Sequence, residues 1–414
     1  MIAKDFLALL SRNISIAKKG QSDTSFGGMS IILLGDFHQF PPVARSIRDA
    51  LYYPSDPQTS NITSQIGRAI FEEFRMVVEL TEQKRVVDPV WHNFLQHLRQ
   101  GKVEEDDLKM LRSLTTEECI RRHEDLSKDC WRNAVLVTPR HAVRTQWNDR
   151  CIRQMCKDNH RPILVSKAQD TCAGQTLTIK DQCILEAHRS KSRKGSHRDV
   201  KDLPHEIELA IGMKIMVTNN VETEIDLTNG ARGEIVDIIL HPDEPQLNME
   251  ESRINLKFLP VYILVKLGRT RARKLEGLEE CVIPIEPTST KYHINVLMED
   301  RKKGRRTFER RQFPITAAYA FTDYRSQGQT LPYVFVDIAT PPTGTLSLFN
   351  LYVALSRSSG RDTIRLLRDF DDKMLLKTHD KSLLNEDEFL NTQNKTTCDW
   401  YDKVVKNQSV AVHL

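Results

Sequence analysis

The most constraining feature of this chain is the run Met29-Ser30-Ile31-Ile32-Leu33-Leu34-Gly35-Asp36, continuously apolar and ending in an acid. A strand with one wet face alternates apolar and polar residues. A strand that is apolar throughout belongs inside a parallel sheet covered on both faces, where functional residues gather at its C-terminal end. Ala134-Val135-Leu136-Val137-Thr138-Pro139, Val334–Ile338 and Thr363–Leu367 have the same texture. Helical periodicity is expected over 1–12, with Met1, Ile2, Phe6, Leu9 and Leu10 on one face, and over 65–75, 89–115, 141–156 and 347–357. The sequence therefore reads as α/β.

From residue 212 to about 300 the texture changes to short β-type runs at Lys214–Thr218, Gly233–Ile239, Val261–Leu267 and Cys281–Ile285, with Asn229-Gly230 as a turn signal. Residues 187–206 read as a polar, basic loop, and the tail after about 385 as a fraying one. A length of 414 residues suits two or three domains.

The net charge is only +4, but the cations are clumped, at His188–Lys194 and at Arg301–Arg306 followed by Arg310-Arg311. Local patches of this kind suit an anionic backbone, although solvated loops have the same composition. The eight cysteines include no C-x-x-C pair, and no apolar run approaches the ~20 residues of a membrane span. A reduced intracellular setting without structural zinc is expected.

Four blocks carry candidate chemistry. Gly35-Asp36-Phe37-His38-Gln39-Phe40-Pro41-Pro42 ends a strand with an acid and sets a glutamine on a rigid loop, where it can sense a γ-phosphate or orient water. Leu80–Val86 offers Arg85 just past a strand. Ser326-Gln327-Gly328-Gln329-Thr330 is dense in hydrogen-bonding groups, and Gly328 lets backbone approach a phosphate. Tyr352–Arg357 puts a guanidinium at a helix end, where it can act as an arginine finger or cap the helix.

In order and spacing these blocks resemble the petite-integration-frequency (PIF) helicases of superfamily 1B, over about residues 1–370. Gly35–Pro42 looks like motif III, Thr138-Pro139-Arg140 with Asn148 like motif IV, Arg311–Ile315 and Ser326–Leu331 like motif V, and Tyr352–Arg357 like motif VI. The stretches Gly212–Val217 and Leu227–Gly233 look like the entry to that family's β-barrel insertion. The resemblance implies a RecA-like fold: a first domain over 1–115, a second over 116–215 and 311–372, a small β-barrel insertion over 216–310 and a tail over 373–414.

It also implies site roles. Gln39, Arg85 and Arg357 would be catalytic, and Asp36, Gly328 and Gln329 would contact nucleotide. Thr138, Pro139, Ser326, Gln327, Thr330, Arg305 and Arg306 would contact DNA. ATP and Mg²⁺ are the implied cofactors, and single-stranded and forked DNA the implied partners. A monomer is expected, in the nucleus, with the mitochondrion as the other candidate compartment. Lys191–Arg198 is a candidate nuclear address.

The chain departs from the family in two ways. No Gly-x-x-Gly-x-Gly-Lys-Thr/Ser loop occurs in it, and Met1-Ile2-Ala3-Lys4-Asp5-Phe6 reads as the continuation of a motif II whose Asp-Glu pair is not in the sequence. The expectation is a PIF-type 5′→3′ helicase lacking its N-terminal part, with ATP binding impaired or absent in this chain. The alternative is a non-catalytic DNA- or partner-binding remnant of a Helitron-type helicase. Tyr324-Arg325 stands where the family often has His-Lys, with the positive charge kept.

Overall fold

The computed structural model describes residues 1–18, 24–43, 46–192, 203–297, 303–342 and 344–411. The chain divides into one compact unit of residues 1–141 with 321–414 and a second of residues 142–320.

The first unit is α/β. Its four-stranded sheet runs in the order Ala320–Phe321, Val135–Val137, Val334–Val336, Ile364–Leu366. Val135–Val137 and Ile364–Leu366 flank Val334–Val336 in parallel, and all nine residues of the three strands are buried. The three runs read as buried strands are therefore neighbours in one parallel sheet.

The helix expected over 89–115 is two helices, Pro89–Gln100 and Glu105–Ser113. Gly101 ends the first in the left-handed region (φ 67°), and a capping box between Glu104 and Asp107 starts the second.

Three expectations are corrected here. The N-terminal helix, Lys4–Ala17, buries Lys4, Leu7, Ala8 and Ser11, whereas Phe6, Leu9 and Leu10 are exposed. Its buried stripe is the one that packs on helix Ile62–Glu72. The approach there is close: a Cβ on Gly67 would lie 1.8 Å from the Lys4 carbonyl oxygen.

Second, Met29–Asp36 has no strand partner among the described residues. Ile31 and Leu33 pack against Leu7, Phe26 and Ile70, while Ile32 and Leu34 are 82% and 89% exposed. The segment running into Leu80 likewise has no strand partner among the described residues; Val77 N–H and Glu79 N–H donate instead to the Thr397 hydroxyl (3.1 Å) and Asn394 Oδ1 (3.0 Å). Third, the tail is not loop but a long helix, Lys381–Ala411. Leu383, on its first turn, is fully buried with Phe40, Tyr52 and Val353.

The second unit is mostly antiparallel. Five strands lie in the order Val282–Ile285, Tyr262–Leu267, Arg232–Ile239, Lys214–Val217, Ile315–Ala317. The first four occupy the four β-type runs of the sequence, Ile315–Ala317 is an addition to them, and the core lies around Ile215, Ile235, Ile263, Val265 and Ile285.

A second sheet follows the order Thr288–Leu297, Lys303–Gln312, Gln169–Cys172, Gln175–Thr176. One of its faces carries its own small core of Leu185, Ile294 and Phe308. The region read as a loop from 187 is helical as far as Ser192, in Ile179–Ser192. Residues 193–202, most of the candidate nuclear address, and Arg301 and Lys302 lie outside the described residues.

Candidate functional site

Gln39 sits on a turn built by Asp36. The Asp36 carbonyl accepts from Gln39 N–H (3.1 Å), and its carboxylate accepts from His38 N–H (3.0 Å). The same carboxylate oxygen is held by Arg99 Nη2 at 3.1 Å, from helix Pro89–Gln100. His38, fully buried, anchors the turn from beneath: its Nε2 is 2.8 Å from Asp387 Oδ2, and its Nδ1 is 3.4 Å from His379 Nε2.

Two contacts carry the turn to the Ser326–Thr330 segment. Phe40 stacks on Tyr324, with ring centroids 4.0 Å apart and planes at 15°. Gln327 Nε2 donates to Gln39 Oε1 at 2.9 Å. That segment leaves a single helical turn, Asp323–Ser326, whose Asp323 carboxylate accepts from Asn350 Nδ2 at 2.6 Å. Burial pushes the Asp323 carboxyl upward in pKa, and the Asn350 bond opposes the shift. Gly328 has φ +78° with nothing within 4 Å of a built Cβ, so glycine is required there by conformation rather than by space. Gln329 Nε2 donates to the Arg325 carbonyl at 2.9 Å.

The two arginines lie behind this segment. Arg357, 2% exposed, stands just past helix Leu348–Leu355 and donates only to neutral oxygens. These are the carbonyls of Val353 (2.6 Å), Gln329 (3.2 Å) and Ser326 (3.4 Å), and the Ser356 hydroxyl (2.7 Å). It thereby ties the end of the helix to both ends of the Ser326–Gln329 loop. Arg85 donates from Nε to the Thr330 hydroxyl (3.0 Å) and from Nη1 to the Ser356 carbonyl (3.1 Å). A strap fixes its loop: Val87 N–H bonds the Ser359 carbonyl (2.9 Å), and Arg361 clamps Asp88 through Nε (2.6 Å) and Nη2 (3.1 Å).

No carboxylate hydrogen-bonds Arg85 or Arg357 among the described residues. Burial first, and then the neighbouring Arg85, lower the Arg357 pKa to about 10. Burial lowers that of Arg85 as well. Both stay charged at neutral pH. Asp36 opposes that shift for Arg357 without hydrogen-bonding it, and two neighbouring guanidinium groups against one such carboxylate leave an electropositive spot that favours an anion.

The structure thus brings together Asp36, Gln39, Arg85, Gln327, Gly328, Gln329, Thr330 and Arg357. Ser326 is fully buried, with its hydroxyl bonded to the Asp323 carbonyl (2.7 Å). Thr138, also fully buried, donates to Asp337 Oδ2 at 3.0 Å and accepts from Arg140 N–H at 3.2 Å, which shapes the turn at Pro139. Arg305 and Arg306 belong to the second unit, on strand Lys303–Gln312.

The sequence reading missed His38, Arg99, His379 and Asp387. His38 lay inside a quoted block, but its partners, Asp387 of helix Lys381–Ala411 and His379 just before that helix, come from far along the chain, and no local spacing marks them.

No protein-family model matches the chain. Its sequence is similar to the ATP-dependent DNA helicase PIF1 of Xenopus laevis, 25% identical over 353 residues, covering 85% of this chain and 43% of that protein. The Danio rerio PIF1 helicase is 26% identical over 381 residues, covering 91% and 45%. The Campylobacter jejuni Pif1 helicase is 24% identical over 367 residues, covering 88% and 69%. The chain thus spans less than half the length of these vertebrate relatives.

Among solved structures, Pif1 helicase from Candida albicans matches with a TM-score of 0.59 at 18% identity, covering 95% of this chain and 74% of that one. Bacteroides Pif1 in complex with ADP-AlF3 and single-stranded DNA matches with a TM-score of 0.58 at 18% identity, covering 95% and 73%. In sequence the chain is a relative of the PIF-type ATP-dependent DNA helicases of superfamily 1B, and in fold it has their α/β, RecA-like helicase architecture.

Proposed function

We propose that this chain supplies the phosphate-sensing and DNA-gripping parts of a PIF-type 5′→3′ DNA helicase. The observation that carries the reading is the Arg85–Arg357 pair, which hydrogen-bonds no carboxylate among the described residues and is joined through Thr330 and Ser356 to the loop that Gln39 touches. An anion at Arg85 meets a guanidinium already oriented by two neutral acceptors. Arg357 holds the Ser326–Gln329 loop and adds field strength from its buried position. Guanidinium groups placed at a transferring phosphoryl group are worth roughly 10³–10⁵ in rate in such chemistry.

In this reading Gln39 couples the occupancy of the phosphate position to Gln327. Asp36, Gly328 and Gln329 shape the nucleotide side of the loop. Ser326, Gln327 and Thr330, with the Thr138-Pro139 turn, shape the DNA side. Single-stranded and forked DNA are the substrates, and repair, recombination and telomere maintenance are the setting, with a nuclear or mitochondrial location.

The two arginines fit a phosphate, and the sequence holds neither the Gly-x-x-Gly-x-Gly-Lys-Thr/Ser loop nor the motif II Asp-Glu pair that would hold magnesium in the PIF-type helicases. Asp36 is no substitute for that pair, since its Oδ1 is held by Arg99 and His38 N–H. Residues 1–414 alone are therefore expected not to turn over ATP. Helicase-like turnover by the purified chain with single-stranded DNA would overturn that. The anion site is tested by thermal unfolding with added tripolyphosphate. Stabilisation that disappears in Arg85→Gln is expected. Equal stabilisation of both proteins, or none of either, contradicts the assignment.

A further inference from the structure

The hairpin Thr288–Leu297 with Lys303–Gln312 sorts its residues strictly by parity. Phe308 and Arg310 are buried, as are Ile294 and Gln312, and all four face the helix Ile179–Ser192 side. The inward cations are neutralised: Arg306 Nε is 2.8 Å from Asp181 Oδ1, and Arg310 holds Asp170 at 2.7 and 2.9 Å. Arg306, a cation that the sequence assigned to DNA, is therefore half of an ion pair whose aspartate is 2% exposed.

The opposite face carries Ser289, Lys291, His293, Asn295, Arg305, Thr307 and Arg311, all exposed, with Glu309 between them. Gln169 and Thr171 of the neighbouring strand extend it, since Gln169 is in register with Arg311 and Thr171 with Glu309. Lys291, Arg305 and Arg311 make no ion pair among the described residues, and Glu309 is the one acid on this face. The face is thus a flat, single-sided sheet surface with an excess of two positive charges and a row of hydroxyl and amide donors. Its one ring is His293, whose Nδ1 is 2.9 Å from the Thr307 hydroxyl.

We infer that this outward face, built on Lys291, Arg305 and Arg311, is a binding surface for the phosphodiester backbone of single-stranded nucleic acid. Charge and hydrogen-bond donors address phosphates. The shortage of aromatic rings leaves no platform for bases to stack on, so recognition is independent of sequence. Ten-residue strands at ~3.4 Å per residue offer a track of about 34 Å, long enough for several nucleotides. An acidic polypeptide would meet the same charge, but Lys291, Arg305 and Arg311 spread along the length of the hairpin suit a regularly charged backbone lying along it.

The inference rests on the DNA-binding part of the proposed function, and the test separates the two. Fluorescence anisotropy of labelled oligothymidylate is measured with the 414-residue chain across a salt series. The comparison proteins are the triple variant Lys291→Gln/Arg305→Gln/Arg311→Gln, Glu309→Gln, and Arg306→Gln. The triple variant is expected to lower the slope of log K against log salt by about 2, from roughly 0.7 per phosphate contact, and to weaken binding about tenfold or more at low salt. Glu309→Gln is expected to tighten binding. Arg306→Gln is expected to lower the melting temperature without that change in slope.

Wild-type binding with an unchanged slope in the triple variant overturns this surface and leaves DNA binding by the first unit standing. No wild-type binding at low salt overturns both. Binding of polyglutamate but not oligothymidylate assigns the face to acidic protein and overturns it as a nucleic-acid surface.

Discussion

Substituting Asp88 isolates the clamp that presents Arg85. Its carboxylate caps helix Pro89–Gln100 by accepting from Val90 N–H (3.0 Å) and Trp91 N–H (3.3 Å), and it also receives both guanidinium bonds of Arg361. Gly360 permits the approach, because a Cβ there would lie 2.7 Å from the Asp88 Cβ. The Arg361 side-chain bond is the largest cause of the fall in the Asp88 pKa from 3.8 to about 2.

That shift corresponds to at most about 2.4 kcal/mol at ~1.36 kcal/mol per unit. Arg361 is 41% exposed, so solvent screening reduces the expected coupling to about 1 kcal/mol. Asp88→Asn keeps the helix cap and removes only the charge. A double-mutant cycle with Arg361→Gln, followed by urea unfolding at pH 7, should return that coupling. Because the folded pKa is depressed, the contribution is complete above the unfolded value near 4 and is lost as pH falls toward 2. Additive single-mutant effects at pH 7, or a coupling that survives at pH 2, would refute the reasoning.

Gly67→Ala drives a methyl into the Lys4 carbonyl and should cost about 1–3 kcal/mol in chemical denaturation, despite the better helix propensity of alanine. His379, whose pKa is lowered to about 4 by burial and then by His38, folds in its neutral form. Stability should therefore hold above pH 6.5 and fall by about 1–3 kcal/mol as pH drops from there to 4, an effect that His379→Gln removes in thermal unfolding at stepped pH. Gly328→Ala should cost about 1 kcal/mol through its positive φ, and Gly328→Asn less, as read by melting temperature.

Most of the parallel sheet was legible because its strands are short and largely apolar, such as Val135-Leu136-Val137. Four of the five strands of the second unit's first sheet were legible as short β-type runs, and Asn229-Gly230 marked a turn between two of them, with Gly230 at φ 96°; Ile315–Ala317 was not read as a strand.

Other features were hidden by physics that spacing does not encode. The N-terminal helix has apolar residues on more than one face, and Gly67 on a distant helix decides which face is buried. Strand Lys303–Gln312 reads as a charge run because Phe308 is its only large apolar residue before Phe313. Its strand character comes from pairing with Thr288–Leu297 and from buried ion pairs. The polar helix Lys381–Ala411 is held at its start by Leu383 and the His38–Asp387 contact, both long-range. Of the candidate site, the residue types and their order were visible. That Arg357 would spend its donors on backbone carbonyls, leaving Arg85 the more open guanidinium, required coordinates.

We propose that this chain grips DNA through charge. The most direct test is the affinity of the 414-residue protein for oligothymidylate between about 50 and 200 mM salt. The account predicts binding at the low end that weakens by at least tenfold across the range, as several phosphate contacts require. Affinity that does not change with salt, or no binding at 50 mM, would contradict it.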